Sequence, residues 1–159
     1  LYDIGLCWEN VGAWPKAEEA FSQFIEKYPD SELITQAHLK LANAVFQQKK
    51  YAQARDHYDW VVKSAEESAL SVEAQYRLGD CWFYQKDFKK AVVEYLRIPI
   101  LYPQFKEWSY KAQLQVAECY KALGQLEEAK KTYRKIIQNK EFQEEWIKEA
   151  QRRLKELER

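Results

Sequence analysis

The chain has 159 residues, 47% of them hydrophobic and 31% charged, which is enough to bury a continuous core and too polar overall for insertion into a membrane. Lys plus Arg equals Asp plus Glu at 25 each, so the basic excess of a protein that binds by neutralising phosphates is missing and nucleic acid is not an expected partner. Four glycines and four prolines cannot punctuate the turns of a β-sandwich or barrel, and six Trp, eleven Tyr and seven Phe are the side chains that a disordered segment lacks.

Charge is uneven along the chain. Residues 1–34 carry two Lys against seven acids, whereas residues 110–140 carry six Lys and one Arg against three Glu, a dipolar distribution able to orient a charged partner. No apolar run approaches the roughly 18 residues of a membrane span, and no basic-then-apolar leader opens the sequence. Leu1 falls inside a repeating pattern and there is no Met, so the chain reads as part of a longer protein.

The pattern begins at once. In the first 34 residues Ile4-Gly5 is followed by Trp8, then Trp14, Ala17, Phe21 and Phe24. The same offsets return in residues 35–71 as Leu41-Ala42, Val45, Tyr51, Ala54, Tyr58 and Val61. They return in 72–109 as Leu78-Gly79, Trp82, Phe88, Ala91, Tyr95 and Ile98, and in 110–143 as Val116-Ala117, Tyr120, Leu126, Ala129, Tyr133 and Ile136. Offsets of three, four and seven residues are helical, so each repeat is two amphipathic helices of about 13 residues, with the small residues where their backbones approach. Gly12 and Gly124 fall in the break between the helices, where positive φ ends a helix at little cost; Lys49 and Lys86 hold the equivalent places. Pro29 and Pro103 stop the second helices of their repeats, while Pro99 is expected to kink or end its helix early. Ala150 and Leu154 continue the register into a single helix over 144–158.

The arrangement Leu78-Gly79, Trp82, Ala91, Tyr95 and Pro103 resembles the tetratricopeptide repeat, a helix-turn-helix unit, over essentially the whole chain. The resemblance implies an all-α, right-handed α-α superhelix of four helix-turn-helix repeats plus one extra C-terminal helix, with a core shared between neighbours. Three features depart from the family pattern. Leu1, His38, Gln75 and Gln113 stand where an early Trp is usual, the second and fourth repeats lack a closing Pro, and each period of 37 or 38 residues is three or four too long. Leu33, Leu70, Trp108 and Trp146 recur four residues before an aligned Ala, and are expected to anchor an added turn at the start of each first helix.

Catalytic chemistry has little to work with. Cys7, Cys81 and Cys119 share one repeat position; copies of it lie too far apart for a disulfide, and all three are expected to be buried thiols. His38 and His57, the latter expected to face outward, lie near no nucleophile arrangement. Adjacent acids diverge by about 100° on a helix. No enzyme activity, metal or cofactor is expected.

Binding is the remaining class. The resemblance implies a concave surface lined by first helices, whose inward positions here hold Tyr2, Leu6, Glu9, Asn43, Phe46, Gln47, Tyr76, Asp80, Phe83, Tyr84, Leu114, Glu118 and Lys121. This aromatic groove with acidic punctuation suits a protein or peptide with apolar or basic side chains. In cochaperone members of the family, Lys, Asn and Arg clamp a terminal carboxylate; the matching positions here are Tyr2, Leu6, Asn43, Tyr76 and Asp80, and only the Asn survives, so that ligand is rejected. The alternative is a spacer that self-associates through its ends, where Trp146, Ile147, Leu154 and Leu157 are expected to be presented. The long period and the Tyr28-Pro29-Asp30-Ser31 connection resemble repeats of bacterial cell-envelope assembly proteins, which places the periplasm ahead of the cytoplasm.

Overall fold

A computed structural model describes residues 1–159. It contains nine helices and no strand: α1 (Tyr2–Asn10), α2 (Trp14–Lys27), α3 (Ile34–Gln47), α4 (Tyr51–Ser64), α5 (Ala69–Tyr84), α6 (Phe88–Leu101), α7 (Lys106–Ala122), α8 (Leu126–Gln138) and α9 (Glu144–Leu157). The expected all-α array of four helix pairs and a last single helix is what the chain forms. Two compact units divide inside α5, Leu1–Cys81 and Trp82–Arg159.

The turn within each pair has one construction. Gly12 (φ 71°), Lys49 (62°), Lys86 (63°) and Gly124 (72°) are all left-handed, and each donates its N–H to the carbonyl three residues back, as Gly12 does to Glu9 at 3.0 Å. The following residue reaches five back: Ala13 to Trp8, Lys50 to Val45, Asp87 to Trp82 and Gln125 to Tyr120. This pairing satisfies carbonyls that the end of a helix leaves open. Two of the four turns meet it with lysine, at a steric cost that glycine avoids. The start of α5 carries another device: Ser68 and Ser71 exchange side-chain and backbone hydrogen bonds, Ser71 N–H donating to Ser68 Oγ at 3.2 Å and Ser68 N–H to Ser71 Oγ at 2.9 Å, which caps the helix reciprocally.

In the first unit the core gathers Ala17, Phe21, Leu41, Ala42, Val45, Ala54, Tyr58, Val61, Ala74 and Leu78, with Trp8, Trp14, Tyr51 and Leu70 packed against it. In the first repeat the small residue of the first helix receives the aromatic ring of the second. A methyl group added at Gly5 meets the Phe21 ring at 2.5 Å, so that approach requires glycine. In the second unit Tyr110, Ala117, Tyr133, Ile136, Phe142 and Ala150 form the core. Tyr110 stacks on Trp146 at 4.9 Å, with Phe142 edge-on to both at 5.9 Å.

Four expectations need correction. First, α6 does not end early at Pro99 but runs on to Leu101: two residues before the last helical position, the ring removes one donor without stopping the turn, and Tyr102 N–H still reaches Ile98 O at 2.9 Å. Second, Leu33 precedes α3 and is exposed, because the 28–33 connection bends before the helix begins; Leu70, Trp108 and Trp146 do lie within their helices. Third, Trp146, Ile147, Leu154 and Leu157 pack onto the second core. They are partly covered there and not fully presented to solvent, and the outer face of α9 is charged, with Lys148, Arg152, Lys155 and Glu156 exposed. Fourth, Cys7 is exposed while Cys81 and Cys119 are buried. The equivalent residue of the second repeat, Ala44, is buried like Cys81 and Cys119, so the repeat position alone does not set the exposure of the thiol.

That difference predicts the thiol chemistry. Burial, with the Asp80 carboxylate beside it, pushes the Cys81 thiol up to about 12, which suppresses the reactive thiolate. At neutral pH a thiol reagent is expected to modify one cysteine per native chain, Cys7, and all three after denaturation without reductant. Three fast equivalents on the native protein would refute the burial of Cys81 and Cys119.

Candidate protein-binding site

Except for Gln47, the proposed groove residues of the first unit already have work inside the fold. Tyr2 packs its ring 5.7 Å from Phe21 and 5.4 Å from Phe24, and Leu6 lies against the core. Glu9 reaches from α1 to Lys40 of α3 at 2.9 Å. Asn43 Oδ1 accepts the Tyr58 hydroxyl at 2.6 Å, and Phe46 meets Tyr51 edge-on at 5.3 Å. Tyr76 is half-buried and Gln47 exposed. Asp80 is 7% exposed and held by Arg77 Nη1 at 2.9 Å, so this carboxylate is an internal ion-pair partner and not a surface that attracts a cation.

The second unit does bring proposed residues together. Phe83 and Tyr84, at the end of α5, face Phe88 at the start of α6, with Phe83 edge-on to Tyr84 at 5.8 Å and to Phe88 at 5.4 Å. With Lys86, Glu118, Lys121 and Ala122 they line an open cavity of about 440 Å³. Tyr84 is 58% exposed. The turn through Lys86 creates the site, because its reversal returns Phe88 beside Phe83. Glu118 forms the polar wall: it accepts from Lys121 Nζ at 2.9 Å, the Tyr133 hydroxyl at 2.9 Å and Arg153 Nη1 at 3.2 Å. Burial pushes its carboxyl up, but the hydrogen bonds from Lys121 and Tyr133 outweigh it and hold the group below the usual range. Leu114, the remaining candidate, packs on the core.

One cluster escaped the sequence reading. His38 on α3 is buried, stacks on Trp60 at 3.8 Å and faces His57 on α4 with the two Nδ1 atoms 3.3 Å apart. His57 is half-buried and does not point outward as expected. Burial drives the His38 pKa down to about 4, with the neighbouring imidazole acting in the same sense. Burial also lowers His57, against the opposing pull of Asp56 and Glu18. The signal was available in the register: His38 lies four residues before Ala42 and His57 three after Ala54, at facing levels of one helix pair. No group of three or more His, Cys, Asp or Glu side chains is placed to hold a metal, and no helix is long and apolar enough to cross a membrane.

Repeated helix pairs with one turn construction and shared cores define a helical-repeat protein. The sequence profile of the tetratricopeptide repeat-like domain matches residues 9–158, and the chain belongs to that family. No curated protein sequence matches it significantly. Among solved structures, it is similar to a Podosopora anserina protein described as a kinesin light chain with nearly identical tetratricopeptide-like repeats, at 18% identity and TM-score 0.75 over 98% of this chain and 82% of that one. It is similar also to a MamA structure labelled AMB-1, at 20% identity and TM-score 0.65 over 84% and 68%. A tetratricopeptide repeat protein from Parabacteroides merdae matches at 16% identity and TM-score 0.73, over 97% of this chain and 57% of that one. At these identities the likeness is one of fold. Members of this fold class are in general protein-interaction scaffolds and not catalysts.

Proposed function

We propose that the chain binds a protein or peptide segment by taking an apolar side chain into the aromatic cavity of the second unit. The observation that supports this is the grouping of Phe83, Tyr84 and Phe88 around an open 440 Å³ space, rimmed by the Glu118–Lys121 pair. Exposed aromatic surface beside polar groups is the composition of an interaction hot spot. The basic character expected of the partner loses its support at Asp80, which is buried and paired, so the ligand is specified here by its apolar anchor. The long period and the Tyr28-Pro29-Asp30-Ser31 connection support a role in cell-envelope assembly. End-to-end stacking of copies is the weaker reading, since α9 already uses its apolar side chains within its own unit.

Peptides selected by display against the native protein give the test. Phe83→Ala with Tyr84→Ala is expected to weaken the selected peptides at least tenfold, while the far-ultraviolet spectrum and Tm stay near those of the parent. Undiminished affinity in the double variant would sink the cavity as the site.

A further inference from the structure

A second surface, distinct from the aromatic cavity, stands out when the four second helices are aligned. On α6, Val93, Leu96 and Ile100 are 52%, 38% and 73% exposed. Their spacing of three and four residues puts them on one helical stripe. The equivalent places in the other repeats are polar or charged throughout. Val93 corresponds to Glu19, Asp56 and Lys131; Leu96 to Ser22, Asp59 and Arg134; Ile100 to Glu26, Lys63 and Gln138. Nine residues out of nine are hydrophilic where this helix has three aliphatic ones, so the fold does not require apolar side chains there.

The stripe has relief and a charged border. Leu96 and Pro99 open onto a cavity of about 260 Å³ floored by Val116 and Tyr120 and edged by Lys131 and Lys135. The acids nearby are already used: Glu128 pairs with Lys131 at 2.7 Å and Glu94 with Arg97 at 2.9 Å. Lys135, at the cavity, and Lys89, one turn before Val93, are both exposed and enter no ion pair. The unit around them, residues 82–159, holds 17 basic against 12 acidic side chains. An apolar stripe set between uncommitted lysines complements an apolar face flanked by carboxylates.

We propose that the outer face of α6 docks an acidic amphipathic helix of another protein. Its apolar residues lie along Val93, Leu96 and Ile100, one side chain enters the cavity beside Pro99, and its carboxylates meet Lys89 and Lys135. A second copy of this chain fits the same apolar area less well, because a like surface brings lysine against lysine.

The probe is a pair of fluorescein-labelled helical peptides with leucine at i, i+3 and i+7, one flanked by glutamates and the other by lysines. The glutamate peptide is expected to bind the intact chain at least tenfold more tightly than the lysine peptide, and to weaken as salt is raised. Val93→Glu, Leu96→Ser and Ile100→Glu together place first-repeat residues on α6, so this variant is expected to keep its Tm and to lose the glutamate peptide at least tenfold. Lys89→Glu with Lys135→Glu, which leaves the apolar stripe intact, is expected to reverse the preference between the peptides. Equal binding of the two peptides, or an unreversed preference in the lysine variant, overturns the proposal. So does loss of the peptide in the Phe83/Tyr84 variant alone, binding to neutral and anionic vesicles in place of the peptides, or a concentration-dependent dimer that the triple variant abolishes.

Discussion

Tyr58→Ala is expected to destabilise the first unit by about 3–5 kcal/mol, the range for truncating a large buried aromatic residue. The ring is fully buried at the level of Ala42, the small residue of the facing helix. In the first repeat the same approach leaves no room for even one methyl group between Gly5 and Phe21. Removing the ring therefore opens a cavity that the helix pair cannot close without shifting as a body. The hydroxyl adds a smaller share through its 2.6 Å hydrogen bond to Asn43, and Tyr58→Phe, which borrows the first-repeat residue, is expected to cost only about 1 kcal/mol. Urea unfolding of the two variants measures the contrast. Equal midpoints for Tyr58→Ala and the parent would mean that the ring is not the centre of the pair.

Acid is expected to weaken the protein before its carboxylates titrate. His38 has a free-chain pKa near 6.5 and a folded value of about 4, and His57 is shifted in the same direction. Both are therefore held neutral by the fold. Their contribution to stability is complete above the free-chain value, declines as pH falls below about 6.5, and is gone once His38 takes its proton near pH 4. The shift at His38 corresponds to a loss on the order of 2 kcal/mol by pH 4.5, and His57 adds to it. The Glu118 carboxylate, whose pKa is depressed, acts in the window below its ordinary value, so the two contributions separate. His38→Gln supplies the residue that the third and fourth repeats carry as Gln75 and Gln113. This variant is expected to fold and to flatten the dependence of Tm on pH between 6.5 and 4.5. A parent whose Tm is constant over that interval would refute the buried pair.

The helical class, the number of helix pairs and the place of each turn were legible because they depend on short-range periodicity. A 3.6-residue pattern records which face is buried, and four copies of it average out local exceptions. The turn made by Lys49 could be placed only because Gly12 and Gly124 stood in the aligned position; lysine by itself carries no left-handed signal. The candidate groove was less legible. Alignment puts Asn43, Asp80 and Glu118 on one register position, but it does not say what each hydroxyl or guanidinium reaches. In the folded chain the first accepts from Tyr58, the second is held by Arg77 and the third serves Tyr133, Lys121 and Arg153. The aromatic cavity arose from a turn reversing the chain at Lys86, and the histidine pair from two helices facing one another 19 residues apart. Periodicity assigns a side chain to a face, a property of one helix. Which partner it meets there, and whether its charge remains available to a ligand, depends on the distance between helices, and only packing sets that distance.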